Sequence, residues 1–207
     1  MSQYQKFRQS RAAAIEQMGK DEALKTQANK FIRDSSQYGY SYNFEWLGRP
    51  IIQFPQDILA LQELFWAVKP ELIVETGIAH GGSLIMSASM LALLDLCEST
   101  GQDDPHGAGG DRKVVGVDVD IREHNREAIE AHPLAKRIHM IEGSSVAPDV
   151  IAQVREIASD YERIFVILDS NHTHEHVLAE LELYAPLTSI GSYCVVLDTI
   201  IDSMPAS

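Results

Sequence analysis

Apolar positions along this 207-residue chain follow first a helical rhythm and then an alternation of helical spacings with short apolar runs. From about Phe7 to Ile32 the pattern is polar, rich in Ala and Lys, with a thin apolar stripe, and predicts one or two helices. An aromatic cluster follows, Tyr38, Tyr40, Tyr42, Phe44 and Trp46. It reads either as a flap packed over the main domain or as a substrate lid. Further on, Ile58, Leu61, Leu64, Phe65 and Val68 recur at helical spacing over residues 56–68, and Lys69-Pro70 closes that segment. Strands are predicted at residues 72–74, 114–117, 138–141, 164–168 and 193–197, with helices at 83–96, 122–131, 150–157 and about 174–184. Strands alternating with helices are the signature of a parallel sheet covered on both faces, a doubly wound α/β fold. Residues 98–112, ESTGQDDPHGAGGDR, read as a solvated surface insertion. The expected division is a helical extension and flap over residues 1–50, then an α/β domain over 51–207.

Composition narrows the function classes. Thirty acidic against 17 basic side chains give a net charge of −13, which argues against broad electrostatic binding to nucleic acid or anionic lipid. The first 50 residues depart from this, with eight basic and five acidic side chains. The start, MSQYQKFRQSR, lacks the apolar core of a signal peptide, and no run approaches about 18 consecutive apolar residues, so a soluble cytoplasmic protein is expected. Cys97 and Cys194 make neither a disulfide framework nor a zinc cluster and read as buried small hydrophobes.

Candidate chemistry collects at strand ends, where the ligand crevice of an open α/β sheet lies. After the first predicted strand comes Glu75-Thr76-Gly77-Ile78-Ala79-His80-Gly81-Gly82-Ser83, whose glycines let the backbone turn tightly and approach a ligand ahead of a helix N-terminus. Asp118 ends the next strand, where a carboxylate can accept ribose hydroxyls. Together these point to a nucleoside cofactor. The fourth and fifth strands end in Asp169 and Asp198, which the expected strand order sets facing each other. Two adjacent carboxylates repel unless a cation lies between them, and hard oxygen ligands favour Mg²⁺, Mn²⁺ or Ca²⁺. His172, His174 and His176 alternate at a helix start, so at most two can share a site. His174 and His176 read as helix-surface or packing residues. His172, still in the loop, is suited to take a hydroxyl proton.

These residues resemble the cephalosporin hydroxylase family, related to S-adenosylmethionine-dependent O-methyltransferases and distantly to the catechol O-methyltransferase type. The likeness runs from about Tyr38 to Pro205 through VETGIAHGGS, VVGVDVDIR, IEGSS and VILDSNHTHEHVLAELELYAPL. It implies a Rossmann-like class I methyltransferase fold, with Glu75, Gly77, Ala79, Gly81 and Ser83 contacting the cofactor on its methionine side. Asp118 then corresponds to the ribose ligand, and Ser144 and Ser145 to neighbours of the adenine. Asp169 and Asp198 match metal-site positions, with Thr199 at the place of an amide ligand, and His172 falls where the catechol type has its catalytic lysine. Two departures stand out: Leu197 occupies the place of an acidic metal ligand, and the antiparallel hairpin expected after the fifth strand is absent. An apolar fifth strand left at a sheet edge predicts that the polypeptide continues past Ser207 or that a partner chain, such as a second copy, covers the edge.

The implied function is methyl transfer from S-adenosylmethionine to a hydroxyl of a small molecule or saccharide. Mg²⁺ or another hard divalent cation assists, with Asp169 and Asp198 holding it and His172 as base. Two alternatives remain at this level: a non-heme iron oxygenase using Asp169 and the histidines, and a non-catalytic protein that kept the cofactor fold.

Overall fold

A computed structural model describes residues 1–99 and 112–200, which form two compact units, residues 1–40 and residues 41–200. The first unit holds helices α1 (Gln3–Lys20) and α2 (Glu22–Ser36). A capping box between Ser2 and Gln5 starts α1, and the Asp21 carboxylate, accepting from the Leu24 N–H at 3.0 Å, starts α2. Neither helix buries a residue, so the thin apolar stripe lies exposed. In the same unit Phe31 and Tyr40 meet edge to face.

In the second unit a hairpin of β1 (Phe44–Trp46) and β2 (Arg49–Ile51) precedes α3 (Pro55–Val68). The hairpin packs with the sheet domain, so that compact unit begins at residue 41, ahead of the expected boundary at 50. Proline at the first helical position starts α3, and Lys69 in the left-handed region, φ 52°, ends it. The remaining elements are β3 (Leu72–Thr76), α4 (Gly82–Ser99), β4 (Lys113–Asp118), α5 (Glu123–Glu130), β5 (Ile138–Glu142), α6 (Pro148–Ala158), β6 (Ile164–Leu168), α7 (His174–Tyr184) and β7 (Cys194–Val196). Every predicted element is present, with ends shifted by a few residues.

All five sheet strands are parallel in the order β5-β4-β3-β6-β7. The order reverses at β3, so the carboxyl ends of β3, β4 and β6 surround one crevice. Alternate residues of each strand face opposite sides. Ile73, Val114, Phe165 and Ile167 pack against α3, α4 and α5 on one face, through residues that include Phe65, Leu84, Leu91 and Ile129. Leu72, Val74, Val115, Val166 and Leu168 pack against α6 and α7 on the other, through Val150, Val154 and Tyr184 among others. Helix α4 is apolar enough in length and composition to cross a membrane, and 61% of it is buried in this packing, with Leu93 and Leu96 left exposed.

Two expectations change. Cys97 is exposed and Cys194 half-buried, so neither is a core residue: Cys97 falls on the open side of α4, and β7 is an edge strand. The surface insertion expected at 98–112 lies outside the described residues except at its ends. There, Glu98 and Ser99 finish α4, and Arg112 is buried, donating to Asp95, to Glu98 at 2.6 Å and to the Pro70 carbonyl at 3.1 Å.

Candidate functional site

The β3–α4 turn is built by glycines at the positions where close approach requires them. Gly77, at φ 91°, lies so near β6 that a Cβ would stand 2.0 Å from the Asp169 carbonyl oxygen. A Cβ on Gly82 would stand 2.2 Å from the Pro50 carbonyl oxygen, so the hairpin can lie against the start of α4 only over a glycine. The turn between them is braced from two sides. Asp118 Oδ2 accepts from the N–H groups of Ile78 at 2.8 Å and Ala79 at 3.1 Å, while Asn125 Nδ2 donates to the Ala79 carbonyl at 2.9 Å. Arg49, from β2, donates to the His80 carbonyl at 2.6 Å and to Asn125 Oδ1 at 3.0 Å. Arg49 and Asn125 were not legible as site residues. Their signal, a basic residue on a hairpin and an amide on a helix, is too common to single out.

The turn separates two clefts. One, about 200 Å³, is lined by Tyr42, Gln53, Gly77, Gly82, Ser83, Asp169, His172 and Asp198 among others. The other, about 310 Å³, is lined by Ile52, Ala79, His80, Asp118, Asp120, Arg122 and Asn125. Ile52, Ala79 and His80 border both, so one elongated ligand could lie across the turn with its ends in the two clefts. Asp118, expected as a ribose ligand, lines the second of these clefts. Its carboxylate already accepts three backbone N–H groups, those of Ile78, Ala79 and Asp120. It therefore shapes the turn as well as facing the cleft.

Glu75 points into the α4 side of the sheet and is 1% exposed, with Oε1 left without a hydrogen-bond partner among the described residues. Burial pushes its carboxyl up to about 7, against the pull of hydrogen bonds from Ser83 and Ser87. Gly81 turns at φ 83° over Ile129.

Asp169, His172 and Asp198 come together as the strand order implies. One ligand atom from each lies within 4.8 Å of the others, and His172 Nε2 is 3.3 Å from Asp198 Oδ2. Asp198 takes a left-handed backbone, φ 55°. Burial, with the charges of Asp198 and Glu75, holds the Asp169 carboxyl well above the usual carboxylate range, and a hydrogen bond from Gln53 opposes this. That bond, Gln53 Nε2 to Asp169 Oδ2 at 2.8 Å, comes from a glutamine only 4% exposed and fixes the carboxylate's orientation. Asp57, on the first turn of α3, is also raised, by burial and by Asp198. Thr199 lines a neighbouring cleft of about 230 Å³ with Val177, Leu178, Leu181 and Leu197.

The three histidines part company. His172 joins the carboxylates, while His174 stays outside that cluster and lines the neighbouring cleft, which His172 and Asp198 also border. Of the two readings for His176, helix surface or packing, it takes the packing one: its Nε2 is 3.1 Å from Ser145 Oγ, 3.3 Å from Ser170 Oγ and 3.4 Å from Glu180 Oε1. Ser170 Oγ donates to Glu180 at 2.7 Å, and Tyr184 Oη donates to the Ser145 carbonyl at 2.8 Å. His176, Glu180 and Tyr184 thus form one inward polar stripe of α7 that ties the loop after β5 to the loop after β6. Ser145, expected beside an adenine, is 5% exposed with its hydroxyl toward His176, whereas Ser144 is half-buried. The (i, i+4, i+8) spacing was visible in the sequence, but the serines it meets come from other strands.

The family model for rhamnosyl O-methyltransferase/CmcI matches residues 38–207. The chain belongs to this family. Among its curated relatives, the rhamnosyl O-methyltransferase of Mycobacterium leprae (strain TN) is 30% identical over 161 residues, which cover 77% of this chain and 62% of that protein. The protein of the same name from Mycobacterium bovis (strain BCG / Pasteur 1173P2) is 32% identical over 153 residues, 72% of this chain and 54% of its own. This chain therefore spans a little over half the length of the curated relatives it matches. The solved apo-structure of CmcI-N160 matches with a TM-score of 0.51 at 21% identity, covering 78% of this chain and 59% of that one. The family's Rossmann-like methyltransferase fold is accordingly the fold of this chain, as the sequence resemblance implied.

Proposed function

We propose that this chain carries the cofactor half of an S-adenosylmethionine-dependent O-methyltransferase acting on a hydroxyl of a saccharide or another small molecule. The supporting observation is the juxtaposition of a glycine turn flanked by two clefts with a carboxylate–imidazole cluster at the end of one of them. The relatives' name, rhamnosyl O-methyltransferase, supports a sugar hydroxyl as the acceptor.

The residues fit the cofactor. Asp118, Asp120 and Asn125 give the larger cleft polar walls suited to a ribose, and Ser144 lies beyond them on the loop after β5. Gly77, Ala79 and Ser83 line the cleft beside the turn, Gly81 shapes the turn against Ile129, and Glu75 lies buried beneath it with Oε1 unpartnered among the described residues, an acceptor on the side proposed for the methionine end. Bound there, the cofactor supplies an electrophilic methyl group on a sulfonium. The donor set of Asp169, His172 and Asp198 fits a divalent cation, which would lower the pKa of an acceptor hydroxyl. The protein's own part is positioning: Gln53 fixes Asp169, the α7 stripe fixes the loop that carries Asp169 and His172, and the cleft that the turn shares with Asp169, His172 and Asp198 would hold acceptor and methyl group side by side. Such alignment supplies much of the acceleration in a displacement of this kind. The oxygenase reading needs two histidines at one point, whereas among the described residues one histidine joins the cluster.

Calorimetric titration with S-adenosylhomocysteine, with and without a divalent cation, tests the proposal. Binding that involves Asp118 is expected. Binding of NADH in place of S-adenosylhomocysteine would overturn it.

A further inference from the structure

Resting on the methyltransferase reading, we propose that Tyr42 is an acceptor-binding residue, whose ring receives the C–H face of a saccharide while a hydroxyl of that saccharide points to Asp169 and Asp198. The five aromatic residues between positions 38 and 46 divide three ways. Phe44 and Trp46 lie on the β1–β2 hairpin and pack against the core, and Trp46 Nε1 donates to Ser89 Oγ at 3.0 Å. Tyr38 and Tyr40 belong to the unit of residues 1–40, where Tyr40 meets Phe31. Tyr42 lines the cleft that holds Asp169, His172 and Asp198, and it is 65% exposed. Its place beside that cluster is set by one buried residue. The Gln53 N–H donates to the Ser41 carbonyl at 3.1 Å, and Gln53 Nε2 donates to Asp169 Oδ2 at 2.8 Å. The turn that carries the ring is thus tied to the carboxylate through a single glutamine, so the ring is held ready for a ligand before one arrives.

The cleft has two chemical characters. Tyr42, Pro50 and Ile52 offer apolar contact, whereas Gln53, Asp169, His172 and Asp198 offer hydrogen-bonding groups. A pyranoside is divided in the same way, into a face of C–H groups and an edge of hydroxyls. A tyrosine ring suits that face because it is large, rigid and apolar with a polar tip, and it loses little freedom on binding. A flat phenolic acceptor would cover the ring but leave most of the polar groups without hydroxyl partners, which is costly once water is excluded. Tyr42 is not among the residues lining the cleft of Asp118, so the ring is placed for the acceptor and not for the nucleoside.

The test is saturation-transfer NMR on the full chain with S-adenosylhomocysteine present and methyl α-L-rhamnopyranoside as the probe, with catechol as the competing probe. The parent should transfer saturation to the C–H protons of one face of the sugar more than to those of the other. Tyr42→Leu should lose that difference and weaken the sugar about two- to tenfold, the scale of one aromatic contact. Tyr42→Trp should keep both, and the two variants should share the parent's melting temperature and its affinity for S-adenosylhomocysteine. Equal sugar binding by the parent and Tyr42→Leu, or a loss of S-adenosylhomocysteine affinity in Tyr42→Leu, would overturn the inference. Catechol binding in preference to the sugar, or no sugar binding by a parent that does bind S-adenosylhomocysteine, would overturn it too and leave the methyltransferase reading standing. Failure of the parent to bind S-adenosylhomocysteine would instead count against that reading, while the sugar titrations of parent and Tyr42→Leu would still decide the part of Tyr42.

Discussion

Glu75 shows how one side chain couples stability to pH. Its carboxyl is raised from 4.5 to about 7 by burial, so between those values the unfolded chain has released its proton while the folded chain keeps it. Folding stability contributed by this group is therefore present at low pH, falls as pH rises through that window and is level above it. A shift of this size corresponds to about 3 kcal/mol. Glu75→Gln should remove that slope and melt at a higher temperature than the parent at pH 8, and equal melting temperatures would contradict the assignment. Asp118 acts at the same scale with two tasks, holding the N–H groups of Ile78 and Ala79 and facing the cleft of the proposed ribose. Asp118→Ala is expected to weaken S-adenosylhomocysteine binding by about 1–3 kcal/mol in calorimetry, the scale of lost charge-assisted hydrogen bonds.

At the scale of elements, the β3–α4 turn depends on close approach. Gly77→Ala places a Cβ against the Asp169 backbone at a positive φ, so β3 and β6 must separate where they hold the site. A loss of about 1–3 kcal/mol of stability is expected in denaturant unfolding, together with weaker cofactor binding. The α7 stripe offers a second test, because Tyr184→Phe leaves the Ser145 carbonyl without its donor. This should cost about 1 kcal/mol in stability. Most of these elements were legible in the sequence because their apolar spacing is local. The Val/Ile runs marked the strands, Lys69-Pro70 marked the end of α3, and the glycines marked the turn. What brought Asp169, His172 and Asp198 together was the strand order, a regularity of parallel sheets. Packing was one of the two readings for His176, but its partners were not legible, because alternation at a helix start says which residues diverge and nothing about which one meets a buried glutamate. Gln53 was missed for a similar reason: its partner lies on the far side of the sheet sequence, at β6.

For the molecule as a whole, the two helices of residues 1–40 bury nothing of their own, while the second unit concentrates its polar chemistry at one edge of a sheet that is apolar on both faces. The net charge of −13 argues against nucleic acid and anionic lipid as partners and leaves the acceptor open, and the curated relatives are considerably longer than this chain. The central claim is that the two clefts on either side of the Gly77–Gly82 turn take one S-adenosyl cofactor, with its reactive end toward Asp169 and Asp198. A crystal structure of the chain with S-adenosylhomocysteine tests this most directly. The account predicts the ribose hydroxyls on Asp118, the chain of the ligand along the turn and its sulfur on the side of the Asp169–His172–Asp198 cluster. Density for the nucleoside anywhere else, or none at saturating ligand, would contradict it.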